Sequence, residues 1–175
     1  MRRRNHVLLL TGQPGVGKTT VVRAVAAALT HQRIAGFYTA EIRVRGDRRG
    51  FRAVTFDGRA AVIAAVNLKT PHRVGKYGVD VAAMDTIAET LSPAAKVDLV
   101  LVDEIGKMEC LSSRFVHTMR TWLQSTTPIV ATVAQRGGGF IAEVKDRADA
   151  ELWHVTRGTR DELPGRVLAW LAALP

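Results

Sequence analysis

The 175-residue sequence has one cysteine, Cys110, so an internal disulfide is excluded and a reducing compartment is expected. Cys110 itself is read as a small apolar residue. No apolar run approaches the roughly 18 residues of a membrane-spanning helix. Arg2-Arg3-Arg4 ahead of Val7–Leu10 resembles a signal peptide, but the apolar run stops at Thr11-Gly12. Cleavage there would destroy the glycine motif that follows, so the expectation is a cytoplasmic chain with no targeting segment. His31, His72, His117 and His154 lack metal-ligand spacing. Repeats, low-complexity stretches and linkers are also missing, which points to one domain over residues 1–175. Acidic residues are scarce in the first half. Residues 1–76 carry 15 Lys/Arg against 3 Asp/Glu, whereas residues 77–175 carry 10 against 13. That asymmetry is either an Arg-rich solvated face or the footprint of a polyanionic partner, a nucleotide alone or a nucleic acid as well.

What is present is organised around Gly12-Gln13-Pro14-Gly15-Val16-Gly17-Lys18-Thr19-Thr20. It follows the apolar run Val7–Leu10 and fits G-x-x-x-x-G-K-[ST] at every fixed position. Glycines let consecutive N–H groups turn inward on a phosphate, and the helix that begins here adds the positive end of its dipole. In that chemistry Lys18 reaches the β- and γ-phosphates and the Thr19 hydroxyl ligates Mg²⁺. All nine residues are therefore candidate nucleotide-binding positions.

The remaining pattern alternates strand and helix. Val22, Val25, Ala26 and Leu29 form one apolar stripe of a helix leaving the glycine loop. Ile34–Val44 and Gly50–Phe56, either side of Gly46-Asp47, read as an antiparallel hairpin, with a third strand over Arg59–Val66. These are expected as a β insert beside the domain, and residues 67–80 as a long loop near the site. A helix over Val81–Leu91 is stopped by Pro93, and Val97–Val102 is a strand covered on both faces. A helix through Phe115, Met119, Trp122 and Leu123 follows, then a strand over Pro128–Val133 and a helix over Phe140–Arg147. A short strand over Glu151–Val155 precedes a closing helix, begun by a Thr159/Glu162 capping box. Trp122 and Trp170 fall on apolar helical faces and are read as core.

The strand Leu99–Val102 delivers Asp103-Glu104 at its end, about eighty residues after the glycine loop. In enzymes with such loops the first carboxylate holds Mg²⁺ alongside the loop hydroxyl, here Asp103 with Thr19. The second, Glu104, is placed to take a proton from an attacking water. The competing reading of Glu104 is a surface carboxylate paired with Lys107. Thr132 would meet a γ-phosphate or the water if its strand lies between those of the glycine loop and Asp103. Arg157, Arg160 and Lys107 are candidate cations for a base or phosphate.

Taken in order, GQPGVGKTT, GFYTAEIR (36–43), GFRAVTFDG (50–58), VGKYGVD (74–80), VLVDEIGKME (100–109) and VTRGTRDEL (155–163) resemble the THEP-type, or cancer-related, nucleoside-triphosphatases. The resemblance spans nearly the whole chain. It implies a RecA-like P-loop α/β fold, a mostly parallel sheet flanked by helices. It also implies slow Mg²⁺-dependent hydrolysis of ATP, GTP and other nucleoside triphosphates by a chain expected to be a monomer. By position, Lys18 and Glu104 are its catalytic residues, Thr19 and Asp103 its metal ligands. Two departures stand out. Ala40 replaces an acidic residue after GFYT, and Thr159 replaces the Asn of T-x-x-N-R, putting base selectivity near Arg160 in question. The rival readings are a small-molecule or nucleotide kinase and a nucleic-acid-linked switch.

Overall fold

The computed structural model describes residues 5–175, so the Arg2-Arg3-Arg4 run lies outside the described residues. The central strands are β1 (Val7–Thr11), β7 (Leu99–Ile105), β8 (Ile129–Val133) and β9 (Ala150–His154). β1, β7 and β8 alternate their side chains between two covered faces, as apolar strands buried on both sides must, whereas β9 at the sheet edge is only partly covered. Val7 and Leu9 enter one core with Val100, Val102, Ile129 and Ala131, while Leu8 and Leu10 enter the other with Leu99, Leu101 and Val130.

Helices α2 (Val81–Thr90), α3 (Ser113–Gln124) and α4 (Phe140–Lys145) cover the first face. The second is covered by α1 (Lys18–Ala28) and α5 (Leu163–Ala172). Caps fix where two of these helices start. The Asp80 carboxylate accepts from the Ala83 N–H ahead of α2, and the Ser112 hydroxyl accepts from the Phe115 N–H ahead of α3. Trp122, on the expected face of α3, donates its indole N–H to the Leu91 carbonyl at 2.7 Å, locking α3 to α2.

The hairpin is not a separate insert. Strands β2 (Ile34–Val44) and β3 (Asp47–Thr55) pair antiparallel as expected, but Ile34–Phe37 also pair in parallel with Leu99–Val102 of β7. One long strand therefore belongs to the parallel core at its start and to the hairpin at its end. With β4 (Ala60–Ala65), β5 (Arg73–Val74) and β6 (Tyr77–Val79), the nine-stranded sheet among the described residues runs β5-β6-β4-β3-β2-β7-β8-β1-β9. It is parallel from β2 to β9 and antiparallel from β2 to β5.

Residues 67–80, expected as a loop, hold the β5–β6 hairpin. Tyr77 and Val79 are buried there beside Ala64, so apolar burial supplied what periodicity over so few residues does not reveal. The closing helix also starts later than expected. Thr156 and Thr159 cap one another through reciprocal side-chain-to-N–H bonds of 3.1 and 3.2 Å, and α5 begins at Leu163 with Pro164 in its first turn. Among the described residues, no helix is long and apolar enough to cross a membrane.

Docking of β2 on β7 depends on Gly36. Its φ is +141°, and a Cβ there would stand 1.7 Å from the Leu101 carbonyl oxygen. Gly36→Ala is expected to cost on the order of 3 kcal/mol, because backbone cannot yield as a flexible side chain does. A urea midpoint equal to wild type would show that β2 does not need this approach.

Candidate functional site

Parallel strands end side by side at one edge, and four of them contribute to one place. After β1 the chain turns through residues 12–17 into α1. Gly17 caps that helix with φ +116° and no side-chain bond, leaving its N-terminal N–H groups for an anion. Lys18 is buried, 9% exposed, and donates to the Gly12 carbonyl at 2.9 Å and the Gln13 carbonyl at 3.3 Å. Its ammonium lies 3.7 Å from Glu104 Oε2.

Asp103 is the hub of the edge. It is 2% exposed and accepts hydroxyls from three other elements: Thr19 of α1 at 2.6 Å, Thr39 of β2 at 3.2 Å and Thr132 of β8 at 2.7 Å. β8 does lie between β1 and β7, the condition set for Thr132. Its hydroxyl, however, is committed to Asp103, so Thr132 orients the carboxylate. Thr39 was missed from the sequence, since a threonine in a hairpin strand carries no sign of a partner 64 residues away.

The strand continues through Asp103-Glu104 to Ile105 instead of ending before them, and Glu104 follows Asp103 into the same cleft. The carboxylate of Glu104 pairs with Lys18, not with Lys107, so the surface-pair reading fails. Burial pushes its pKa up, with the neighbouring Lys18 charge opposing the shift. Glu109 was also missed. It opens a short 3₁₀ turn (Glu109–Leu111), is 6% exposed and lines the cleft, and burial beside Glu104 pushes its pKa up to about 8. Cys110 is half-buried and its thiol is pushed up to about 12 by burial, so it is inert as expected.

The cleft has a volume of about 750 Å³ and continues past the glycine loop. Tyr38, Arg48, Phe51, Val74 and Met108 line its outer part, with Lys107 and Arg136 at its rim. Pro14, Gly15, Gly17, Thr19 and Thr20 line the inner part beside Lys18. Arg160 does not line this cleft: its guanidinium donates to the Val16 carbonyl at 3.3 Å and borders a smaller depression with Gly17, Thr20, Val21, Asp161 and Pro164. Arg157 is exposed and lines neither.

No group of three or more His, Cys, Asp and Glu side chains among the described residues is arranged to cage a metal. Mg²⁺ does not require one. It is held by one or two carboxylates with phosphate oxygens and water, and the hard oxygens of Thr19 and Asp103 fit that chemistry.

A sequence model of a family described as NTPase matches residues 7–168. The nucleoside-triphosphatase THEP1 of Thermotoga sp. (strain RQ2) is 36% identical over 166 residues, 94% of either chain. The crystal structure of THEP1 from the hyperthermophile Aquifex aeolicus superposes with a TM-score of 0.84 at 32% identity, covering 94% of this chain and 98% of that one. A solution structure of a human cancer-related nucleoside triphosphatase gives 0.81 at 31% identity, over 97% and 99%. Fold, site edge and sequence agree on one assignment: the chain belongs to the THEP1-type nucleoside-triphosphatase family.

Proposed function

We propose that the chain hydrolyses nucleoside triphosphates, ATP and GTP among them, to the diphosphate and phosphate with Mg²⁺, as a monomer of the cytoplasm. One observation carries the reading: Lys18, the Thr19–Asp103 pair and Glu104 converge at one sheet edge, on a helix N-terminus with unpartnered N–H groups. The N–H groups of Gly15, Gly17, Lys18 and Thr19 and the Lys18 ammonium hold the phosphates, and Thr20 and Arg160 flank the side where the nucleoside leaves the loop. Thr19 and Asp103 are the residues that would hold Mg²⁺, which when bound neutralises charge on the β- and γ-phosphate oxygens. Glu104 takes a proton from water as its oxygen bonds to the γ-phosphorus. The bond from that phosphorus to the β–γ bridging oxygen breaks, and the diphosphate leaves with the electron pair.

Less favours nucleic acid. Arg33 and Arg59 are tied to Asp98 and Asp57, and Arg43 and Arg48 to Glu41. Phe37 is buried in one apolar core and Phe56 packs against the other, so neither presents a face to bases. The outer half of the cleft does favour a second reading, transfer of the phosphoryl group to an organic acceptor seated against Phe51 and Met108. Phosphate release measured over a nucleotide panel, with Mg²⁺ or with a chelator, separates these. Metal-dependent release indifferent to added RNA and nucleosides is expected. Strong RNA stimulation, or label on an added nucleoside, would replace the hydrolase reading with the matching rival.

A further inference from the structure

Gly106 sits between two carboxylates. A Cβ at that position would stand 2.8 Å from Glu104 Oε1 and 2.8 Å from Glu109 Oε2. The two oxygens therefore lie no farther apart than two hydrogen-bond lengths, and a side chain at position 106 would crowd both. Glu104 Oε2 already has a cation in Lys18. Glu109 has no ion pair among the described residues and is buried at the cleft wall. Two charged carboxylates in such a gap repel, whereas one neutral acid beside one carboxylate attract through a strong hydrogen bond.

We propose that Glu109 is a positioning residue for hydrolysis: as a neutral carboxylic acid it donates a hydrogen bond to Glu104, directly or through one water. That bond holds Glu104 in the orientation from which it takes the proton of the attacking water. The proposal rests on the hydrolase reading above. With Oε2 held by Lys18 and Oε1 by Glu109, the carboxylate is fixed at both oxygens, and Glu109 keeps its own proton throughout the cycle. Its surroundings support the neutral state. Burial has the largest effect on the Glu109 proton, and the anionic Glu104 and Asp103 on β7 add to it, outweighing the Glu109 and Gly106 N–H groups that favour the charged form. Lys107 is exposed, Cys110 is neutral, and Asp85 on α2 is taken up by the Ser112 hydroxyl. On the elements packed behind, Glu89 pairs with Arg114, and His117 is exposed. Across the cleft, Arg48 is already engaged by Glu41, and Arg136 lies at the rim.

The test uses the full chain with Glu109→Ala and Glu109→Gln, measuring kcat and KM for ATP with Mg²⁺ and Tm against pH. Loss of the hydrogen bond in Glu109→Ala is expected to lower kcat at least about tenfold with KM within about twofold, because Glu104 is misplaced and binding is not. Glu109→Gln, neutral and still a donor, is expected to recover kcat to within about threefold of wild type. Should the alanine variant not fold, Glu109→Met, of similar length without a donor, takes its place.

The sign of the pH effect follows from the raised pKa. The folded chain holds a proton that the unfolded chain releases near the ordinary 4.5, so Tm falls as pH rises from there towards about 8. Glu109→Gln flattens that slope. A glutamine variant as inactive as Glu104→Gln would overturn the proposal in favour of a charged role, and so would a wild-type Tm slope unchanged by Glu109→Gln. Full activity in the donor-free variants would remove any role. Failure of the hydrolase reading looks different, since Glu104→Gln would then leave phosphate release intact.

Discussion

Glu104→Gln is expected to cut phosphate release by roughly 10²–10⁴-fold while nucleotide still binds, the range for loss of a positioned general base. Glutamine keeps the volume and one carbonyl oxygen of the residue, so the wall of the cleft persists. It cannot accept the proton of the attacking water. Glu104 is suited to that proton because burial raises its affinity for one, while Lys18 at 3.7 Å keeps the ionised form available beforehand. Binding depends on other groups, the loop amides and the Lys18 ammonium, which Glu104 neither carries nor caps. In Glu104→Gln the ammonium keeps its bonds to the Gly12 and Gln13 carbonyls. The measurement pairs single-turnover phosphate release with binding of a fluorescent nucleotide. Release at the wild-type rate would remove Glu104 from the chemistry, and lost binding would recast it as part of the phosphate cradle.

Much of this site was legible because its parts are short, contiguous and set by spacing. The glycine loop is fixed by nine consecutive residues, and the Asp103-Glu104 pair stands at the end of an unbroken apolar strand. What stayed hidden lies in partnerships between distant segments. Ile34–Val44 reads as one β run, and nothing local states that its first four residues pair with β7 while the rest turn to β3. The β5–β6 hairpin has strands of two and three residues, too short for alternation to register. Its Gly75-Lys76 loop, between the paired Val74 and Tyr77, was the available signal. Thr159 was placed in a capping box by the Glu three residues later, but Thr156 three residues earlier took its hydroxyl. Thr39 and Glu109 lie within the stretches GFYTAEIR and VLVDEIGKME, but neither stretch states the partner or role of these residues. A threonine suits any strand, and an acidic residue between Met108 and Cys110 reads as a solvated turn until the fold shows it buried.

Asp103→Asn is expected to raise the Mg²⁺ concentration for half-maximal activity at least about tenfold, and to lower activity about 10–100-fold at limiting metal. The argument is electrostatic. Three threonine hydroxyls converge on this one carboxylate, which orients it without neutralising it, so a full negative charge remains for a cation. Asparagine preserves the shape, and the hydroxyls rotate to meet its amide, but the charge is gone. The fold is not expected to suffer. A carboxylate 2% exposed costs desolvation, and its neutral isostere relieves that cost, so Tm of the metal-free variant should equal or exceed that of wild type. That separates a metal role from a structural one, because a carboxylate needed for packing would lose stability when replaced. It also separates Asp103 from its neighbour. Glu104→Gln lowers the rate at every metal concentration and leaves the Mg²⁺ midpoint in place, whereas Asp103→Asn moves the midpoint. A midpoint unmoved in Asp103→Asn would take the metal away from this residue, leaving Asp103 as a brace that ties α1, β2 and β8 to β7.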